Sequence, residues 1–278
     1  MKAGDARVLL TGAGGGIGQA AALALAAAGA QLLLVGRSPA RLTAQLRTLK
    51  LRVPALQADW QQADLLDADA LQMLATRAKA WDANVVVHGA GIAQFGHFED
   101  TPAAAMARVL DTNLRAPMLL TQLLLPHLRS RSRSQLIFVG SVLGAIALPG
   151  FGVYCASKFG LRGFAQALRR ELAATPVRVQ YLGPRTTRTA FNSSAVEHYN
   201  HATGTAADPP ERVAAALLRL MESETAERFL GFPEKLAVRI NGLAPAALDG
   251  AFVKHRLSLP ERRPPTVSHV NEEMNNAL

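Results

Sequence analysis

Cysteine is nearly missing from the 278-residue chain, with Cys155 standing alone. One thiol closes no intramolecular disulfide and leaves too few sulfur ligands for a structural zinc site. No metal site is expected, and a reducing, cytoplasmic setting follows. Aromatic residues make up only 5%. They do not interleave with the basic clusters, which argues against a nucleic-acid platform. Long hydrophobic runs are missing too. The most apolar stretch, residues 20–35, is interrupted by Gly29 and Gln31 and falls short of the roughly 18 consecutive apolar residues read as a membrane-spanning helix. After Lys2 the chain passes straight into a strand and a glycine-rich turn, so no secretory signal is expected.

What the chain has is apolar bulk and positive charge. Hydrophobic residues account for 49% and charged residues for 18%, enough for a sizeable core and unlike a disordered chain. Lys and Arg number 30 against 21 Asp and Glu, a formal net charge of +9. The charge gathers at Arg129, Arg131 and Arg133, and again at Lys254, His255, Arg256, Arg262 and Arg263. Such clusters suit nucleic acid, anionic lipid or a phosphorylated ligand, but solvated loops and tails are the commoner origin.

Short runs of Val, Leu and Ile predict strands over 7–10, 31–35, 53–57, 84–87, 135–139 and 177–182. Helical patterns fall between them, over 17–28, 39–49, 63–80, 101–128 and 154–174. The strands are continuously apolar rather than alternating, as expected when both faces of a sheet are covered. Regular alternation of strand and helix gives an α/β fold with a doubly wound parallel sheet. Beyond residue 190 the pattern loosens. Residues 191–207 are small and polar, a helix capped by Asp208 is expected over 209–223, and Phe229-Leu230 begins a last strand. Leu236, Ile240, Leu243, Ala247 and Phe252 then form a helix-like apolar stripe interrupted by Pro245. The expected organisation is one domain over 1–231, a helical C-terminal extension over 232–263, and a disordered tail over 264–278.

The first strand leads into Thr11-Gly12-Ala13-Gly14-Gly15-Gly16-Ile17-Gly18. A glycine-rich turn between strand and helix lets backbone approach a pyrophosphate, and the helix N-terminus adds free N–H groups and a positive dipole end. Gly12, Gly15, Gly16, Ile17 and Gly18 are the candidate contacts. Dinucleotide folds that take NAD place a carboxylate at the end of the second strand. Here Gly36 leaves that place empty and Arg37 follows. A guanidinium forks onto a 2′-phosphate, so the expected cofactor is NADP(H).

Tyr154 and Lys158 are spaced i, i+4 at the start of a helix and project on one face. A phenol titrates near pH 10 and is a poor base at neutrality; a nearby ammonium favours the phenolate. Such a tyrosine exchanges a proton with a carbonyl or alcohol oxygen. Ser141 follows the fifth strand, at the edge where open α/β sheets bind ligands.

Together, TGAGGGIG near the N-terminus, Asn113, Ser141 and Tyr154-Cys155-Ala156-Ser157-Lys158 resemble the short-chain dehydrogenase/reductase family over about residues 6–190. The resemblance implies a Rossmann fold and a tetrad of Asn113, Ser141, Tyr154 and Lys158. Tyr154 would be the general acid/base and Ser141 would polarise the substrate oxygen. Lys158 would bind the nicotinamide ribose and lower the tyrosine's pKa, and Asn113 would hold a water for proton relay. Asp59 matches the family's adenine-contacting aspartate, Ala90 lies next to the cofactor, and Thr189 would meet the nicotinamide carboxamide. A homo-oligomer is also implied. Two departures stand out. The family's Asn-Asn-Ala-Gly is replaced by His88-Gly89-Ala90-Gly91, where His88 reads as a packed substitute rather than a catalyst. The glycine after Pro184 is replaced by Arg185, which reads either as a contact for an anionic substrate group or a phosphate, or as a solvent-facing side chain.

Residues 191–205 occupy the substrate-loop position and suit a lid. Phe95, Phe98, Leu143, Ile146, Leu148 and Phe151 lie near the catalytic strand ends and favour a hydrophobic ketone, aldehyde or acyl-chain substrate. The extension over 232–263 covers the cleft, forms a subunit interface, or lies on an anionic membrane surface. The main expectation is an NADP(H)-dependent oxidoreductase. The rival is a non-catalytic NADP-binding sensor or interaction protein on the same fold, disfavoured because a sensor has no need of Tyr154 with Lys158.

Overall fold

The computed structural model describes residues 1–261. Arg262, Arg263 and the tail expected over 264–278 lie outside them. Strands β1 (Arg7–Thr11), β2 (Gln31–Gly36), β3 (Ala58–Gln62), β4 (Val85–His88), β5 (Ser134–Val139), β6 (Val177–Gly183) and β7 (Glu227–Phe229) form one sheet. Its order is β3-β2-β1-β4-β5-β6-β7, and every pairing is parallel. The order reverses between β1 and β4, which opens a crevice at the carboxyl ends of the strands.

Helices α1 (Gly16–Ala27), α2 (Pro39–Arg52) and α8 (Pro210–Ser223) cover one face. Ala21 and Ala22 of α1 have small side chains, and Val213 and Leu217 of α8 join them in one buried cluster with Val8 and Leu10. Helices α3 (Ala68–Ala80), α5 (Ala116–Arg129) and α6 (Gly152–Glu171) cover the other, where Leu74, Leu120, Leu124 and Leu161 meet Leu9, Leu33 and Phe138. Alternate residues of each central strand therefore enter opposite cores, the physical origin of their unbroken apolar runs.

Several expectations need correction. The third strand begins at Ala58, not at residue 53. It is an edge strand, paired only with β2, so the half-polar Ala-Asp-Trp-Gln-Gln suffices. The apolar Val53 and Leu56 pack on the core from the preceding connection instead. Helix α3 starts at Ala68 rather than 63, because the Asp67 carboxylate caps the N–H groups of Asp69 and Ala70. The long helical region expected over 101–128 is present as α4 (Ala103–Leu110) running into α5, with a wide π turn over Asp111–Arg115 between them. The polar, small stretch after 190 contains a helix, α7 (Ser194–Thr203), capped by Ser193 and ended by Gly204 at φ 72°. Asp208 does not cap α8; Pro209 takes that place, and the Asp208 carboxylate is engaged by Arg185 and Arg212. Helices α9 (Glu234–Leu243) and α10 (Val253–Leu257), joined by a 3₁₀ segment over Pro245–Phe252, make up the described C-terminal extension. Among the described residues no helix is long and apolar enough to cross a membrane. The arginine cluster on α5 and its exit is divided between separate ion pairs, Arg131 with Asp82 and Arg133 with Glu224.

His88 ends β4 as a packing residue. Its ring stacks on Phe138 at 4.8 Å, and Nε2 lies 3.0 Å from the Thr121 hydroxyl. Burial lowers its pKa from the usual 6.5 to about 3. Between those values the unfolded chain takes up a proton that the folded protein refuses, so stability falls as pH drops from 6.5 towards 3. At pH 5 the loss from this residue amounts to about 2 kcal/mol, at about 1.4 kcal/mol per pH unit. Urea unfolding of His88→Gln at pH 7.5 and 5.0 should show a shallower loss than the parent; equal slopes would show that His88 does not carry the acid sensitivity.

Candidate functional site

The glycine turn is built against the end of β4. The Thr11 hydroxyl donates to the Val87 carbonyl at 3.3 Å and accepts from the N–H groups of Gly89 and Ala90 at 3.1 and 3.3 Å. Gly12 has φ +71°, and a Cβ there would stand 2.7 Å from the backbone of Gly89 and Ala90. Only glycine satisfies both the left-handed backbone and that approach. Gly15 precedes α1 without any side-chain cap, so the first turn's N–H groups have no side-chain acceptor. Gly12 and residues 14–18 line one end of a cleft of about 1140 Å³.

Arg37 and Ser38 line the same end, with Arg41, which the sequence reading passed over. Both arginines are exposed. Ser38 caps α2 through the Arg41 N–H, so the two guanidinium groups flank one helix start. Asp59 does not reach the cleft. It lies within β3 with its carboxylate paired to Arg77 of α3. Asp64, followed by Leu65, lines the cleft instead. Its signal was an Asp-Leu pair just past the third strand, missed because that strand was placed too early. Ala90 and Thr189 also line the cleft, and a Cβ on Gly16 would lie 2.5 Å from Thr189. A glycine-walled trough, an uncapped helix start and two exposed guanidinium groups fit the phosphates of a dinucleotide.

Ser141, Tyr154 and Lys158 line the cleft where this end meets an apolar one. All three are buried, at 8%, 8% and 4% exposure. Ser141 Oγ accepts from the Leu143 N–H at 3.0 Å, which leaves its own proton to be donated elsewhere. Lys158 Nζ stands 5.7 Å from the Tyr154 ring centre and donates to the Val139 carbonyl at 3.3 Å. Burial raises the Tyr154 phenol above its ordinary value, opposed by a hydrogen bond with the Ser141 side chain. Burial also lowers Lys158 to about 8. Desolvation therefore outweighs the expected effect of the lysine on the phenol: it favours the neutral form of each.

Asn113 sits in the π turn, fully buried. Oδ1 accepts from the Ile92 N–H at 2.8 Å, and Nδ2 donates to the Ile92 carbonyl at 2.9 Å and to Ser157 Oγ at 3.1 Å. It is a clamp between the β4 loop and α6, beside the cleft rather than on its wall. The extra residue of the π turn aims it inward, a shape that periodicity cannot reveal.

A further positioning residue, Tyr181 on β6, gave no signal in the sequence beyond an aromatic in an apolar strand. Its hydroxyl accepts from the Ser141 N–H at 3.0 Å and donates to the Ser141 carbonyl at 2.9 Å. A Cβ on Gly140 or Gly144 would collide with it. The phenol thus occupies the space left by two glycines and holds both main-chain groups of the serine.

The apolar end is lined by Leu143, Ile146, Leu148, Phe151, Phe191 and Tyr199. Phe95 stands behind this wall, 4.8 Å from Phe151, and Phe98 is 68% exposed and takes no part. Arg185 lines the cleft but does not face solvent; its guanidinium is engaged by two carboxylates. Nη2 is 2.8 Å from the Asp208 carboxylate and Nη1 is 3.3 Å from that of Glu234, tying the end of β6 to α9.

A parallel sheet with a glycine-lined crevice and a buried Ser-Tyr-Lys group at its carboxyl edge defines a dinucleotide-dependent oxidoreductase class. The short chain dehydrogenase profile matches residues 6–200, and the chain belongs to that family. It is 30% identical over 251 residues to "Dehydrogenase/reductase SDR family member 7B" of Xenopus laevis, covering 86% of this chain and 78% of that protein. A short chain dehydrogenase of Burkholderia cenocepacia in complex with NADP superposes with a TM-score of 0.74 at 25% identity, covering 83% of this chain and 98% of the other. A short chain dehydrogenase/reductase of Burkholderia phymatum in complex with NAD superposes at 0.77 with 19% identity, covering 93% and 97%, a likeness of fold.

Tyr181→Phe removes both bonds to Ser141 and leaves two main-chain groups without that partner. An unmet buried group costs about 1–3 kcal/mol, so turnover should fall about ten-fold or more, while cofactor affinity by fluorescence titration stays within about two-fold. Unchanged turnover, or equal loss of both, would remove the positioning role.

Proposed function

We propose that the chain is an NADP(H)-dependent oxidoreductase acting on a carbonyl or alcohol carbon of a hydrophobic ketone, aldehyde or 3-oxoacyl-type substrate. The observation that carries this reading is the position of Tyr154 and Lys158, buried where the glycine-lined crevice meets the apolar pocket. Exposed Arg37 and Arg41 beside the cleft support a 2′-phosphate ligand. The neighbours named above include both an NAD and an NADP complex, so the choice rests on these arginines and on Gly36 standing where a carboxylate would repel the phosphate. Asp64 would meet the adenine and Thr189 the nicotinamide carboxamide; both line the cleft.

A bound nicotinamide supplies or accepts the hydride. Ser141 Oγ donates to the substrate oxygen and fixes its position. Tyr154, kept protonated by burial, passes its proton to that oxygen in reduction and recovers it in oxidation. Lys158 would hold the ribose hydroxyls, and its Nζ stands 5.7 Å from the Tyr154 ring centre. Both amide protons of Asn113 are committed to Ile92 and Ser157, and Oδ1 already accepts from the Ile92 N–H, so a relay water would have to meet a remaining lone pair of Oδ1 or of the main-chain carbonyl. Residues 191–205, read as a soft lid, carry a helix with Val196 and Tyr199 buried, and act as a wall of the pocket. The proposed setting is the cytoplasm, and the proposed assembly a homo-oligomer.

Arg37→Glu should weaken NADPH binding about 10- to 100-fold, on the scale of one charge-assisted hydrogen bond lost, and leave NADH nearly unchanged by fluorescence titration. A parent protein that prefers NADH would overturn the cofactor assignment. Tyr154→Phe should abolish turnover across a panel of ketones and aldehydes while cofactor still binds. A variant that keeps full activity would refute the mechanism.

A further inference from the structure

Helix α9 presents two unlike faces. Its inner face is anchored: Val238 is buried beside Ala145 and Ile146, Asn241 Nδ2 donates to the Ala145 carbonyl at 2.9 Å, and Glu234 meets Arg185. Its outer face holds Leu236, Ile240 and Leu243, exposed at 49%, 37% and 90%. The apolar stripe evident in the sequence thus faces away from the protein, and a different set of residues docks the helix. At about 100° per residue the three fall on one narrow strip, with Lys235 and Arg239 along one side of it. Phe232, Val253 and Leu257 are exposed as well, and so are Lys254 and Arg256. Six of the fourteen exposed large hydrophobic residues of the described chain lie within residues 232–257, a concentration in one segment.

We propose that this outer face of the C-terminal extension seats on an anionic bilayer surface. The charge decides the occupant. Four exposed cations, Lys235 and Arg239 beside the strip and Lys254 and Arg256 further along the extension, stand against Asp249 and Glu261 as the exposed acids of the same segment. A second copy docked by two-fold symmetry would set cation against cation, whereas anionic headgroups neutralise them and acyl chains take the leucines. The contact is peripheral, since no described helix is fit to span. The segment also lines the cleft, through Phe232, Ala237, Phe252 and His255. Seating it would turn the apolar end of the cleft towards the bilayer, so that a membrane-dissolved carbonyl compound is the substrate that reaches Tyr154. That last step rests on the oxidoreductase reading; the surface itself does not.

The test uses the full chain with vesicles of phosphatidylcholine alone or mixed with phosphatidylglycerol, read by flotation. The parent should float with the anionic vesicles and be released by high salt. L236E/L243E should lose flotation, and K235E/R239E should weaken it on anionic vesicles by more than about ten-fold. Both should keep the parent's turnover of a water-soluble ketone. Equal flotation of all three proteins, or none with the parent, would overturn the proposal. So would a parent oligomer that L236E/L243E converts to a smaller species in light scattering, because the strip would then belong to a second copy. If the parent floats as described but turns over no ketone or aldehyde, the surface stands and the oxidoreductase reading fails.

Discussion

Burying a primary amine at the carboxyl edge of a parallel sheet is the constraint on which the rest of the site depends. Lys158 is 4% exposed and its pKa is drawn down to about 8. A side chain so placed is held by packing and a few polar contacts, here the Val139 carbonyl and the face of Tyr154. Its position beside the cleft requires that the ends of β4 and β5 and the start of α6 keep their relative places. Much of the unusual local structure serves that end. Asn113 ties the β4 loop to Ser157, one residue before the lysine, and the π turn is the backbone distortion that brings Asn113 there.

Hydroxyl and amide groups do the same work on each side of the crevice. Thr11 binds the exit of β4 to that of β1, and Tyr181 binds the exit of β5 to that of β6. Each satisfies main-chain groups where the ladder of the sheet runs out, and Tyr181 fits only because Gly140 and Gly144 leave it room. The result is a rigid edge on which Ser141 and Tyr154 are set by several independent contacts. Such preorganisation favours a chemical step in which one hydroxyl positions an oxygen and another exchanges a proton with it.

The departures from the family pattern are local exchanges of one stabilising contact for another. His88 replaces an amide with a ring stacked on Phe138 and bonded to Thr121. Arg185 replaces a glycine with a guanidinium between two carboxylates, and so secures a C-terminal helix that lies beyond residues 6–200. Both changes leave the glycine turn and the Ser-Tyr-Lys group in place and alter what surrounds them.

The alternation of apolar strands with helices, the glycine turn, and the serine, tyrosine and lysine were all legible in the chain, because each follows from local chemistry: burial on two faces, close backbone approach, or spacing on one helix turn. Residues whose roles depend on partners distant in the chain were not. The bounds of the edge strand are not legible because its polar residues need only one neighbour, and neither is the fact that Asp64 rather than Asp59 lines the cleft. Tyr181 lies 40 residues from Ser141 and Arg185 lies 49 from Glu234, and no periodicity links either pair. The apolar stripe of α9 was visible, but its direction was not. Local pattern determines which residues avoid water, whereas packing of the whole sheet decides which avoided surface is covered and which is left for something else.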